Sequence, residues 1–334
     1  QNQNAFISVW RTSTPNESIT LPLRAGFTYS ATVDWGDGTT SAITSYDDAD
    51  RVHTYANAGD HTVVINGTFQ AIYFDDAGDK DKILSVPNLG SVGWIGFKNA
   101  FKGCSQLTTV RGGDTSQVLT MQSMFHGATV ATPDTSGWDT SQVTNMGDMF
   151  KSAVSANPDT SNWDTSNVTT MQGMFMEASS AQPDTSSWNI SNVTDLKAMF
   201  DGASAANPNV SSWNTSNVTT MRNMFKDATS ATPDVSGWNV ASVQNTASMF
   251  YGATSANPNV ETWNTAQITD MTSMFANATA ATPDVSGWNT SNVTSMRGMF
   301  QGALAANPSV GAWDVAIVTD MAYMFKSASA AMPN

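Results

Sequence analysis

Eight tryptophans recur at a spacing of 25 residues, at Trp138, Trp163, Trp188, Trp213, Trp238, Trp263, Trp288 and Trp313. A fixed period of that length means one supersecondary unit copied and stacked, each copy burying its apolar face on the next. Cut before each Met-x-x-Met-Phe, nine copies align without gaps, at Met121, Met146, Met171, Leu196, Met221, Thr246, Met271, Met296 and Met321. The last is truncated at Asn334, and an opening copy over Phe101–Thr120 is one residue shorter.

Within a copy, Met121, Met124, Phe125 and Ala128 stand at i, i+3, i+4 and i+7, which predicts one face of a short helix. The preceding residues, from Thr120, Asn145 and Thr170 to Asp320, are all favoured N-cap types. Pro133 and its equivalents must end that helix. A short strand (Asp234-Val235-Ser236 in one copy) and a turn at Asp139 or Asn239 complete the expected coil. Alternate copies are more alike than neighbours: "ATPD" stands at Ala131, Ala231 and Ala281, "ANPN" at Ala206 and Ala256. That pattern implies duplication in 50-residue pairs.

Residues 1–75 read differently. Tyr29, Ala31, Val33 and Trp35 alternate with polar residues, as do Ile19, Leu21 and Leu23, the period of half-buried strands. Pro22 suggests an edge. Asp34-Trp35-Gly36-Asp37-Gly38 supplies a turn, and Val63 and Ile65 a further strand.

The motifs "VDWGDGTTS" and "HTYANAGDHTVVINGTF" resemble the PKD (polycystic kidney disease) domain, an immunoglobulin-like sandwich that acts as spacer or adhesion module. The resemblance places His53-Thr54-Tyr55 at a tyrosine corner. "MFxGAS…NPDTSNWDTSNVTTMQGMF" resembles the BspA-like surface-protein repeat, also known as DUF285, and "AFKGCSQLTTV" its leucine-rich form. That family implies a leucine-rich-repeat-related solenoid displayed at bacterial surfaces and associated with adhesion. Here Ala131, Ala156, Ala181 and Ala206 stand where many members carry Leu or Phe, which puts strict leucine-rich-repeat geometry in doubt. The expected fold is therefore an all-β PKD-like sandwich (1–75), a linker with a capping repeat (76–120), and an α/β leucine-rich-repeat-like solenoid of about nine coils (121–334).

Composition narrows the function. A net charge of -14 argues against nucleic acid and anionic membranes. No apolar run of spanning length occurs. The chain starts at Gln1 and has no methionine before Met121, which predicts a removed signal peptide and an extracellular or cell-surface location. Cys104 is the single cysteine, so no internal disulfide forms. His53, His61 and His126 have no metal spacing, and no nucleophile motif is present, so no catalytic residue and no enzyme is expected.

The expected work is adhesion: a repetitive face for a host or neighbouring-cell protein or glycan. The alternatives are a self-assembling subunit joined through an uncapped end at Met321, Met324, Phe325 and Met332, and a carbohydrate-binding module using the eight tryptophans. Against the latter stands plain core packing of the rings. Rows of threonine and asparagine (Thr144, Thr169, Thr194, Thr219; Asn167, Asn192, Asn217) offer a flat array of the kind that binds ice or polysaccharide; solvated turns are the bland reading. No cofactor is required. Asp75, Asp76, Asp79 and Asp81 are weak Ca²⁺ candidates, because Lys80 and Lys82 interrupt them.

Overall fold

Tyr29, Ala31 and Val33 turn inward from the strand they were expected to form, and the exposed residues between them turn out. The computed structural model in which this is seen describes residues 3–332. The chain divides into two units, Gln1–Asp164 and Thr165–Asn334.

The first unit carries all eight strands among the described residues: β1 (Phe6–Thr12), β2 (Glu17–Thr20), β3 (Tyr29–Asp34), β4 (Thr40–Ile43), β5 (Val52–Tyr55), β6 (Gly59–Phe69), β7 (Ile83–Asn88) and β8 (Thr109–Val110). Six form one sheet in the order β4-β3-β6-β1-β7-β8, and β2 pairs with β5 in a second. Pairing is antiparallel except between β7 and β8. Pro22 falls just beyond β2, where no ladder amide is needed. The turn after β3 requires glycine at Gly36, at φ +80, because a Cβ there would strike the Thr62 carbonyl. Asp34 Oδ1 accepts the Gly36 amide at 2.9 Å and fixes the turn.

Each buried polar aromatic of this region has its own partner, as a buried N–H or O–H demands. Trp10 Nε1 donates to Ser8 Oγ at 2.8 Å and Trp35 Nε1 to Ser41 Oγ at 3.0 Å. Tyr55 Oη donates to the Trp35 carbonyl at 2.9 Å, tying β5 to the turn after β3.

Stacked coils begin earlier than the first methionine. Isolated parallel bridges link Ala71 to Gly96, Gly96 to Thr120 and Thr120 to Asn145 in the first unit. In the second they link Thr170 through Asp195, Thr220, Asn245, Asp270 and Ser295 to Asp320.

The expected α/β solenoid is not what these coils build. Among the described residues there is no α-helix, only one turn of 3-10 helix at Ala49–Arg51. In the coil that begins at Met221, the would-be helix is a chain of turns. Met224, Lys226 and Ala228 donate to the carbonyls of Met221, Asn223 and Phe225, three residues back. The intervening amides of Met221, Asn223, Phe225 and Asp227 leave the segment altogether. They donate to Asn245, Ala247, Met249 and Tyr251 of the next coil at 2.7–3.0 Å. Asn223 and Asp227 are left-handed, at φ +58 and +53, which no α-helix tolerates.

The helical pattern misled because both conformations hide the same positions. Met221, Met224, Phe225 and Ala228 are fully buried, as a helix would also bury them. The supposed N-caps lead into turns rather than helices: Asp195 Oδ1 accepts the Lys197 amide at 2.8 Å, closing a turn. Nor is Asp234-Val235-Ser236 a strand. Ala231, Pro233 and Val235 point inward and Thr232 and Asp234 outward, but no strand ladder forms there. The parallel bridge sits instead on the residue before each coil's first position.

Between coils, identical rings meet. Phe225 stacks on Phe200 at 5.6 Å and on Phe250 at 5.7 Å, and Trp213 on Trp238 at 6.2 Å and 1°. Fully burying each such Phe or Met contributes about 1.5–3 kcal/mol.

Candidate functional site

The tryptophans proposed as a partner face are interior residues. Trp138, Trp163, Trp188, Trp213, Trp238, Trp263 and Trp288 are 3–4% exposed, and Trp313 is 8%. Their ring faces are taken by neighbouring aromatics. In several of them the polar edge is taken too: Trp238 Nε1 donates to the Val210 carbonyl at 3.0 Å, Trp263 to Val235 at 3.2 Å, and Trp288 to Val260 at 3.1 Å. A ring without a free face offers a sugar nothing to stack on. The 25-residue spacing is that of ring stacking from one coil to the next.

The Ca²⁺ candidates are also structural. Asp75 accepts from Tyr73 Oη at 2.9 Å and Asn99 Nδ2 at 2.8 Å, beside Lys102 at 3.4 Å. Asp79 accepts the Thr20 amide at 2.7 Å and pairs with Lys82 at 3.0 Å. Asp81 takes Ser105 Oγ at 2.8 Å and Lys80 at 3.3 Å. Asp76 is left-handed, at φ +61, and lies over Gly103, the place of a coil turn. Among the described residues, no group of three or more His, Cys, Asp or Glu side chains could hold a metal ion.

At the proposed assembly end, Met321 is 45% exposed and Met332 77%, Phe325 is half-buried, and Met324 is buried. Phe325 stacks on Phe300 at 5.7 Å. Tyr323 lies beneath Arg297 and Lys326, at 5.0 and 5.1 Å.

The histidines do not converge on a reaction centre. His53 bonds Asp37 Oδ2 at 2.7 Å and stacks on Trp35. Partial burial works against the Asp37 carboxylate, but hydrogen bonds from Thr39 and His53 prevail and hold its pKa down at about 2. His61 stacks on Tyr55 at 3.5 Å and bonds Thr12 Oγ1 at 2.8 Å. His126 borders an open depression with Asp76, Lys80, Lys102 and Ser105, where burial pushes its pKa down. Both lysines there are ion-paired. Burial likewise raises the Cys104 thiol far above its ordinary range, so little reactive thiolate forms.

Among the surfaces the coils present outward are two polar faces built on extended backbone. One carries Thr232 and Asp234 and their equivalents. Asp184, Asp234 and Asp284 each accept the hydroxyl and amide of the serine two residues on, at 2.6–3.1 Å, which lowers their pKa values. The other face carries Asn192 and Thr194, Asn217 and Thr219, Asn292 and Thr294, all exposed around the buried Val193, Val218 and Val293. In the second unit, from 167 to 319, this face holds no charged side chain at either position.

The family described as "Mycoplasma protein of unknown function, DUF285" matches residues 95–209, 179–286 and 255–333, more than half of the chain. The chain belongs to this family. Neither the curated proteins nor the solved structures gave a match. No helix among the described residues is long and apolar enough to cross a membrane.

Two devices in the DUF285 coils escaped the sequence reading. The third and seventh positions are left-handed, and they hold Gly, Asn, Asp or Ser in most copies; that composition was the available signal. The seventh position also alternates. Glu177 lies over Gly202, Asp227 over Gly252 and Asn277 over Gly302, where a Cβ on Gly252 or Gly302 would collide. At the intervening junctions, Asn207 and Asn257 accept the amides of Thr232 and Thr282 at 2.9 and 2.8 Å. Two clasps used in turn give the 50-residue likeness a physical basis.

Proposed function

We propose that the protein is a non-enzymatic adhesion protein, secreted or displayed at a bacterial surface, whose DUF285 coils present periodic polar faces to a host or neighbouring-cell protein or glycan. On this reading the strands within residues 1–75 act as a PKD-like spacer, residues 76–120, which add β7 and β8 to the same sheet, join and cap the coils, and the coils from 121 onward carry the binding. One observation supports it above the others. The apolar ladder is internal, and the outward positions repeat the same polar side chains in register, many bonded to the backbone beside them. Such rows are ordered before a partner arrives, which lowers the entropic cost of binding, and repetition adds avidity.

The test is saturable binding of the full chain to intact bacterial and host cells and to arrays of surface proteins and glycans. Absence of binding to all of them sinks the reading. Each coil stacks on a copy of itself through matching rings and bridges, which favours a second reading, self-assembly into a filament or layer. A molar mass by light scattering that stays at one chain across the micromolar range would dismiss it.

A further inference from the structure

We propose that the uncharged face of the second unit, with Asn192, Thr194, Asn217, Thr219, Asn292 and Thr294 as its rungs, binds an extended neutral polysaccharide. The proposal rests on the adhesion reading above and names the partner class and the face.

The geometry comes from the coil ladder. Residues 194, 219, 244, 269, 294 and 319 each donate a backbone amide to the equivalent residue of the preceding coil at 2.8–3.0 Å. Successive rungs therefore repeat at about 4.8 Å, the spacing of paired strands. On each rung the asparagine and threonine are two residues apart, about 6.6 Å along extended backbone. Exposure alternates across them while Val193, Val218 and Val293 anchor the rung in the core.

The chemistry of the face follows from where its protons go. Thr219 Oγ1 donates to the Thr194 carbonyl at 3.2 Å, and Thr294 Oγ1 to that of Thr269 at 3.2 Å. Asn192 Nδ2 donates to Ser166 O at 2.8 Å, and Asn217 Nδ2 to Ser191 O at 2.7 Å. These bonds lock the rotamers and consume the hydroxyl protons. Each threonine oxygen keeps acceptor capacity, and each asparagine keeps its Oδ1 as an acceptor beside one remaining Nδ2 hydrogen, so acceptors outnumber donors.

An acceptor-rich, uncharged, periodic surface fits a ligand that offers hydroxyl donors at a regular interval. A protein partner would want exposed aromatic or arginine anchors, and these rungs hold none. Nucleic acid would want cations, and these rungs hold none of those either. The carboxylates of Asp184, Asp234 and Asp284 belong to the other outward row.

The experiment uses the full chain with insoluble cellulose, chitin and unsubstituted xylan as probes, measured by depletion binding at low and high salt. Retention on at least one is expected, little changed by salt because no charge takes part. Thr194→Val with Thr219→Val should weaken it about tenfold. Because those changes touch inter-coil bonds, a second variant, Gln244→Glu with Gln267→Glu, places charge on the exposed face and leaves the backbone ladder alone; it should weaken binding similarly. Asp234→Asn with Asp284→Asn, in the other outward row, should leave binding unchanged.

The proposal is overturned by lack of retention on all three probes, by retention that only the Asp234 and Asp284 changes abolish, or by ice-crystal shaping that tracks the threonine changes without any retention. If cells still bind the chain in those cases, adhesion stands and only the assignment of face and ligand falls. If cells do not bind either, both fall.

Discussion

The N-terminal sheet and the coils of the second unit solve the same problem, satisfying buried backbone, in opposite ways. In the sheet, strands of up to eleven residues pair along their length, and each aromatic has its own surroundings: Phe6 meets Trp94 edge-on at 77°, and Tyr29 meets Phe69 at 75°. In the coils, amides alternate between a turn within the coil and a carbonyl of the next. Rings meet their own counterparts nearly parallel, as Trp263 meets Trp288 at 2°. A side chain in the sheet is defined by the rest of its domain. A side chain in a coil is defined by copies of itself, so a coil has little reason to hold its conformation without neighbours.

The largest test of that difference is Phe225→Ala. It removes a fully buried ring from the stack and should cost about 3–5 kcal/mol, read by chemical denaturation. If the coils behave as a nearest-neighbour array, amide exchange should quicken in the flanking coils and stay unchanged across β1 and β6. Uniform loss of protection throughout the chain would break the comparison.

Next in size is Gly252→Val. The left-handed backbone and the collision with Asp227 together should cost about 3 kcal/mol. Adding Asp227→Gly should recover the collision part and leave the backbone part, so a double-mutant cycle separates them. Additive costs would show that the two residues do not share a junction.

Acid should strike the sheet region through Asp37. Its folded pKa of about 2 lies below the ordinary carboxylate value, so its stabilisation is present above that value. It is lost as pH falls from about 4 towards 2. Discounted for partial exposure, the effect is about 1–2 kcal/mol, and Asp37→Asn should remove that part of the pH dependence. Thermal unfolding followed by tryptophan fluorescence from pH 6 to pH 2 measures it.

The smallest effect has the most telling sign. Ala198 is left-handed, at φ +54. Ala198→Gly should therefore stabilise by up to about 1 kcal/mol, whereas in a helix the same change would destabilise by about 1 kcal/mol. Melting temperatures of the two proteins decide the direction.

Some of this was legible residue by residue. The alternation of Tyr29, Ala31 and Val33 needs one conformation, because period two has no competitor. The inward set of Met221, Met224, Phe225 and Ala228 was legible as a buried set, yet its conformation was not, because a helix and a run of turns bury the same four side chains. The glycines and asparagines at the third and seventh positions carried the missing information, since left-handed residues every fourth position exclude a helix. Trp238 was legible as repeated but not as buried: spacing says that rings align and is silent on which side of the backbone they lie.

The sequence by itself determined the period, the buried apolar positions of the coils and the alternation of β3 and β6, because those follow from which residues avoid water and at what interval. Only the tertiary structure decided that the coils are built of turns, that the tryptophans point inward, and that the asparagine and threonine rows are left outside. The amides of Asn223 and Asp227 find their acceptors 24 residues away, in Ala247 and Tyr251. A conformation held by bonds to the next copy cannot be read from one copy alone.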